Sequence, residues 1–244
     1  MGEFVITIDG KEVRARQGQT IMQAADEAGI YIPRLCSHRN LTPHGSCRVC
    51  MVMVSGRAQP ACIQPAEKGM IVENDTEFLQ SVRRSMVDML FVEGNHYCMF
   101  CEKSGECELQ AVAYRLGILV PQYPYMYPKR GLDATNAEVF IDHDRCILCG
   151  RCVIASRDVD KKNIFGFIHR GKDKLLATNG LDAGAAKTEL KGGDEAVAVC
   201  PVGTLMRKHT GYRTPIGRRS FDRAPIGSDI EMKSLKGSIK TTSG

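Results

Sequence analysis

Eleven cysteines fall in three groups along the 244 residues: Cys36, Cys47, Cys50 and Cys62; Cys98, Cys101 and Cys107; and Cys146, Cys149, Cys152 and Cys200. The first, Cys36-x10-Cys47-x2-Cys50-x11-Cys62, offers thiolates from one loop plus a distant residue, the form of a 2Fe-2S site. Its first gap is longer than the four-residue gap of plant-type ferredoxins, so the loop is of another subtype. Gly45 and Ser46, just before Cys47, let backbone N–H groups approach the sulfurs and stabilise an added electron.

Cys146-x2-Cys149-x2-Cys152 with a remote Cys200-Pro201 is the pattern of one 4Fe-4S cubane: the short gaps set three sulfurs around one face, and a cysteine before proline supplies the fourth. A two-cluster ferredoxin has a further cysteine four residues after the third, where Ser156 stands. The middle group, Cys98-x2-Cys101-x5-Cys107, is one ligand short, and His96 lies two residues before it. An imidazole ligand makes a cubane one unit less negative than four thiolates do, which tends to raise its potential. The alternative is that His96 caps or packs locally while water or another side chain completes the site.

An odd number of cysteines without an export signal argues for metal ligation over a disulfide framework. Zinc is the rival occupant, but zinc ribbons pair two C-x2-C knuckles and the first group has one. A zinc-structured nucleic-acid binder is the reading from another class, and the charge speaks against it. The net +5 counts every cysteine as a neutral thiol; ligated thiolates with three oxidised cores of about 2+ each bring the total to about zero. The basic excess sits in the tail: from Leu205 onward nine Lys or Arg face three Asp or Glu, leaving 24 against 25 upstream. No apolar stretch approaches the roughly 18 residues of a membrane span, and Met1-Gly2-Glu3-Phe4 runs straight into a strand pattern. The expectation is a cytoplasmic protein with neither membrane nor nucleic acid as partner.

The elements that must position these groups are legible in outline. Val5–Ile8 and Glu12–Ala15 flank Asp9-Gly10, a hairpin turn dipeptide. Thr20 caps a helix with a stripe of Ile21, Ala24, Ala25 and Ala28, which Gly29 ends. Met51–Val54 and Met70–Glu73 read as two more strands, giving a small α+β unit of about 75 residues. Asp75 or Thr76 caps a second helix whose buried face is predicted as Phe78, Val82, Met86 and Met89 or Leu90. A further helix runs from Leu109 to Leu116, ending at Gly117. Pro121 to Pro128 is an ordered, non-helical connection, 158 to 194 a polar insertion, and the chain past Leu205 an extended arm whose Ile216, Phe221 and Ile226 dock on a partner.

The phrases YIPRLC, GSCRVC, EGNHYCMFCEKSGECELQAVAY, DRCILCGRCV, AVCPVGTL and PIGRRSFD, spanning 31 to 222, resemble the N-terminal iron-sulfur region of the large peripheral subunit of respiratory complex I. They resemble still more the small iron-sulfur (gamma-type) subunit of the diaphorase part of soluble NAD-reducing nickel-iron hydrogenases, whose short length matches. Complex I has three residues between histidine and first cysteine, whereas only Tyr97 separates His96 from Cys98. The resemblance implies an α+β chain with a ferredoxin-like β-grasp 2Fe-2S domain (1–77), a small helical 4Fe-4S domain with one histidine and three cysteines (78–132), a 4Fe-4S ferredoxin-like domain (133–210) and a docking tail (211–244). It implies one 2Fe-2S cluster and two 4Fe-4S clusters, ligated as grouped above with His96. It also implies partners: a flavin-containing, NAD(H)-binding diaphorase subunit and nickel-iron hydrogenase subunits. The same relay in an NAD-dependent formate dehydrogenase or an electron-bifurcating complex is the alternative within this chemistry. No catalytic triad-like arrangement is present, so the expected role is that of an electron-transfer subunit of an oxidoreductase complex, with no substrate site of its own. Gly166-x4-Gly171-Lys172 imitates a P-loop, but Asp173 replaces the magnesium-binding Ser or Thr.

Overall fold

The computed structural model describes residues 2–232. The chain opens with β1 (Glu3–Ile8) and β2 (Lys11–Arg16), joined by Asp9 and Gly10, both at positive φ as a tight hairpin of this twist requires. α1 (Ile21–Glu27) starts at a capping box in which Thr20 and Gln23 satisfy each other's backbone N–H groups, and its face of Ile21, Met22, Ala24 and Ala25 is buried. β3 (Met51–Val54), β4 (Arg57–Pro60) and β5 (Ile71–Glu73) complete a five-stranded sheet of order β2-β1-β5-β3-β4, with β5 parallel to β1 and the other pairs antiparallel. This is the β-grasp arrangement, with Ile6, Ile8, Val13, Val52 and Val72 packed under α1. β4 was not expected from the sequence, because Arg57-Ala58-Gln59-Pro60 has neither alternation nor β-branched residues; its pairing to β3 supplies the order.

α2 (Glu77–Val92) begins at Thr76, whose hydroxyl accepts from the Leu79 N–H. Its buried face matches the expected one only in part: Met86 and Leu90 pack half-buried against the main core. Leu79, Arg83, Val87, Asp88 and Val92 are buried, while Phe78 and Met89 are exposed. Apolar periodicity alone misplaced the face because two of its inward positions carry charges. α3 (Glu108–Arg115) begins directly after Cys107 and ends with Gly117 at φ +73°.

The connection 121–128 is tied along α2: the Gln122 N–H donates to Asp88, the Met126 N–H to the Val92 carbonyl and the Tyr123 hydroxyl to Ser85. A three-stranded antiparallel sheet follows, with β6 (Leu132–Asp133) and β7 (Val139–Asp142), and then α4 (Arg151–Asp158). The polar insertion is folded: β8 (Phe165–Ile168) and β9 (Leu175–Thr178) form a hairpin, and Phe165, Leu176, Ala185 and Leu190 from this region enter the main core. The P-loop look-alike runs from Gly166 inside β8 into the hairpin turn, where a single 3-10 turn, Gly171–Asp173, leads to β9 and no α-helix follows. α5 (Glu195–Ala198) and β10 (Leu205–Arg207), paired to β7, close the unit.

The described part of the arm lies back on its own chain. Tyr212 donates to the Phe100 carbonyl at 2.6 Å, the Phe221 N–H to the Gly105 carbonyl at 3.0 Å, and Ile226 packs against the main core while Ile216 is exposed. Gly227, at φ +91°, abuts the Tyr31 ring so closely that a Cβ would sit 2.3 Å from it. Residues 233–244 of the expected docking tail lie outside the described residues. Among the described residues, no helix is long and apolar enough to cross a membrane.

Candidate iron-sulfur sites

The first group is assembled by the β-grasp sheet. Cys50 stands immediately before β3 and Cys62 just after β4, so the Met51–Pro60 pairing and the Ala61 N–H donating to the Cys50 carbonyl at 3.0 Å bring them together. Cys36 and Cys47 arrive from the loop after α1, where the Cys36 N–H donates to Cys47 Sγ at 3.4 Å. Gly45 takes φ +67° under Ile63. The thiol of Cys36 reaches those of Cys47 and Cys62, and the thiol of Cys50 reaches that of Cys62. These contacts pull Cys36 down to about 2 and also lower Cys50, while they push Cys47 and Cys62 up. The four cannot all lose their protons in a buried pocket without cationic charge among them, which is the charge a cluster core brings.

His96, Cys98, Cys101 and Cys107 line one cavity with Phe91, Arg145 and Gly203. Cys98 opens a 3-10 turn, Cys98–Phe100, and Cys107 is the N-cap of α3, so both ends of the loop are fixed by local structure. The His96 ring packs edge-on to Phe91 at 5.5 Å. Its Nε2 is buried with no hydrogen-bond partner, and burial pulls the ring down to about 4, keeping it neutral. A neutral imidazole with an orphaned nitrogen beside three thiols fits a fourth ligand better than a local cap. Cys107 is pushed up to about 12 by burial, and burial also raises Cys98. Arg145 brackets the set: Nη1 lies 3.5 Å from Cys101 Sγ and 2.7 Å from Glu102, and Nε 2.7 Å from Asp142. Gly203 leaves the room this needs, since a Cβ there would stand 3.0 Å from Cys101 Sγ and 3.1 Å from Arg145 Nη1.

Cys146, Cys149, Cys152 and Cys200 line a third cavity. Leu148 at φ +51° and Gly150 at φ +77° curl the loop, Cys152 sits in the first turn of α4, and Cys200 follows α5. Burial pushes Cys146 up to about 11 and raises Cys149 and Cys152 as well. Thr204 Oγ1 is buried in the same cavity and reaches the Cys146 thiol. His44, from the first loop, reaches across to the Cys149 carbonyl at 2.7 Å.

Cys98, Cys107, Cys146, Cys149 and Cys152, whose protons are held by burial, become thiolates only when a cation compensates them, and the first set cannot ionise completely without one, which fits cluster ligation. Among the described residues, no three His, Cys, Asp or Glu side chains close on a point suited to one metal ion. Sequence reasoning missed the polar residues that brace the sites, Arg83, Arg145, Arg151, Glu108 and His44; apart from Glu108, Arg145 and Arg151, each beside a cysteine, nothing local marks them.

Comparison with known proteins agrees. The 2Fe-2S iron-sulfur cluster binding domain matches residues 3–77, the NADH-ubiquinone oxidoreductase-G iron-sulfur binding region 83–121, and the ferredoxin-like domain of NADH-quinone oxidoreductase subunit 3 residues 137–206. The NAD-reducing hydrogenase HoxS subunit gamma of Cupriavidus necator is 42% identical over 89% of this chain and 92% of its own. The NADPH-Fe(3+) oxidoreductase subunit alpha of Geobacter sulfurreducens is 33% identical over 96% of this chain, which spans 28% of that longer protein. A chain of the crystal structure of NAD+-reducing [NiFe]-hydrogenase in the H2-reduced state superposes with a TM-score of 0.88 at 42% identity, covering 91% of this chain and 94% of that one. The chain therefore belongs to the gamma-subunit family of NAD-reducing hydrogenases and is an iron-sulfur electron-transfer subunit with 2Fe-2S and 4Fe-4S binding regions.

Proposed function

We propose that this chain relays electrons through one 2Fe-2S cluster, held by Cys36, Cys47, Cys50 and Cys62, and two 4Fe-4S clusters. His96, Cys98, Cys101 and Cys107 hold one cubane, and Cys146, Cys149, Cys152 and Cys200 the other. The observation that carries this reading is the convergence of these twelve side chains into three donor sets of buried and half-buried residues, with the His96 Nε2 left partnerless inside the second. When bound, the clusters supply one-electron donor and acceptor centres. The protein's part is to fix their spacing, exclude water and tune potential through N–H···S bonds and nearby charge. Each donor set is complete at four, so no substrate site belongs to this reading.

The domain divisions proposed are 1–77, 78–132 and 133–210, followed by the tail. The partners are a flavin-containing, NAD(H)-binding diaphorase subunit on one side and nickel-iron hydrogenase subunits on the other, by analogy with the hydrogenase relatives. The test is reconstitution with such a diaphorase subunit. NADH should then bleach the visible absorption of this chain and raise its EPR signals. Reduction by dithionite but never by NADH with the diaphorase present would remove the flavin partner from the account.

A further inference from the structure

α2 buries a charge where an apolar residue is the norm. Arg83 has 0% exposure, and its guanidinium bonds only to neutral acceptors: Nη1 to the Asn74 carbonyl at 2.9 Å, Nη2 to Asn74 Oδ1 at 2.7 Å and to the Met51 carbonyl at 2.8 Å. Nε is buried with no partner. Asp88, the other buried charge of this helix, accepts from the Gln122 N–H of the 121–128 connection rather than from Arg83. A guanidinium stays protonated in proteins. Arg83 is thus a full positive charge withdrawn from water without an ion pair, an unfavourable state unless opposite charge stands close by.

The carbonyl that accepts from Nη2 belongs to Met51, directly after Cys50 and at the start of β3. Cys50, Asp75 and Asp9 all act on Arg83, and the other cation near Cys50, Arg34, is already paired with Asp26. The Asp9 and Asp75 carboxylates are exposed and engaged elsewhere, Asp9 with the N–H groups of Asn74 and Asp75, and Asp75 with Gln80. Water screens their attraction, whereas the cysteine set shares the interior with Arg83. Four thiolates around a 2Fe-2S core carry about −2, and about −3 once reduced.

We propose that Arg83 is the buried counter-charge of the 2Fe-2S cluster at Cys36, Cys47, Cys50 and Cys62, and that it holds that cluster's reduction potential up. The proposal rests on the ligand assignment made above. Reduction there adds one electron and breaks no bond, so a fixed cation stabilises the reduced form more than the oxidised one. The guanidinium also explains why the inward face of α2 departs from apolar periodicity.

The test is an EPR-monitored redox titration of the cluster-loaded full chain as wild type, Arg83→Gln and Arg83→Lys. Gln keeps a donor for the Asn74 or Met51 carbonyl but removes the charge; Lys keeps the charge. The expected result is a 2Fe-2S midpoint in Arg83→Gln displaced to lower potential by at least tenfold in the reduction equilibrium, about 59 mV for one electron. Arg83→Lys should stay nearer to wild type, and the 4Fe-4S signals should not move. Loss of the 2Fe-2S signal in Gln with retention in Lys would also support the counter-charge role. An unmoved midpoint in Gln, an equal shift in Gln and Lys, an equal shift of every cluster, or loss of the cluster in both variants would overturn it. A wild-type chain that shows no 2Fe-2S signal would instead contradict the ligand assignment itself.

Discussion

Arg151 donates to both carboxylate oxygens of Glu108, Nη1 to Oε1 and Nη2 to Oε2 at 2.7 Å each. The same guanidinium reaches the Ser37 carbonyl at 2.9 Å and the Val199 carbonyl at 3.3 Å. Ser37 follows Cys36, Glu108 follows Cys107, Val199 precedes Cys200, and Arg151 itself precedes Cys152. One side chain therefore ties together residues that stand beside a cysteine of every donor set, two through their backbone carbonyls and Glu108 through its carboxylate. The His44 contact to the Cys149 carbonyl adds a second clasp between the first and third sets, and Arg145 one between the second and third.

Arg151→Met should loosen this junction. Breaking a buried pair by removing one partner costs about 3–5 kcal/mol, and the 27% exposure of the Glu108 side chain places the expected loss near the lower end. Glu108→Gln in the Arg151→Met background should recover part of it, because the stranded carboxylate is gone. Denaturant unfolding of the wild type, Arg151→Met, Glu108→Gln and the double variant checks this. A loss under about 1 kcal/mol would assign the junction to packing alone.

Cys200→Ala should remove a donor from the third set and with it the cluster, since ligation is folding energy for the surrounding unit. Iron content should fall by about four atoms per chain, with faster proteolysis around α5 and the β7–β10 pair. Full retention of iron would show that Cys200 is not a ligand.

His96→Cys should keep a cubane while making it one unit more negative, so its midpoint should fall relative to wild type. A redox titration identical to wild type would show that His96 does not bind the cluster.

The same histidine predicts an acid limb in the metal-free chain. Its ring titrates near 6.5 when exposed and is pulled down to about 4 by burial. Between those values the unfolded chain binds a proton that the folded chain refuses, so folded stability falls as pH falls through this window. The slope is about 1.4 kcal/mol per pH unit for one proton. Urea unfolding between pH 7 and pH 4 should show a shallower decline in His96→Cys by about that slope. Equal slopes would mean that the ring is not held neutral.

Cysteine spacing made the donor sets legible because ligands of one cluster must come from short loops plus one remote residue. The Asp9-Gly10 hairpin, the Thr20 cap and the Gly117 stop were legible because each is a local steric or hydrogen-bonding requirement. What stayed hidden depends on distant partners. β4 is a strand only because β3 offers it an edge, and β8–β9 looked polar because its two short apolar runs, Phe165–Ile168 and Leu175–Thr178, are joined by the charged turn 169–174. Arg83 and Asp88 defeated the periodicity of α2 because their partners, Met51 and Gln122, lie 32 and 34 residues away. Arg151 and His44 make clasps spanning 114 and 105 residues, which no local pattern announces.

The most direct test of the account is iron and acid-labile sulfide per chain after anaerobic purification, with EPR of the reduced protein. The expected result is about ten irons, with one 2Fe-2S and two 4Fe-4S signals. Stoichiometric zinc without labile sulfide would contradict it.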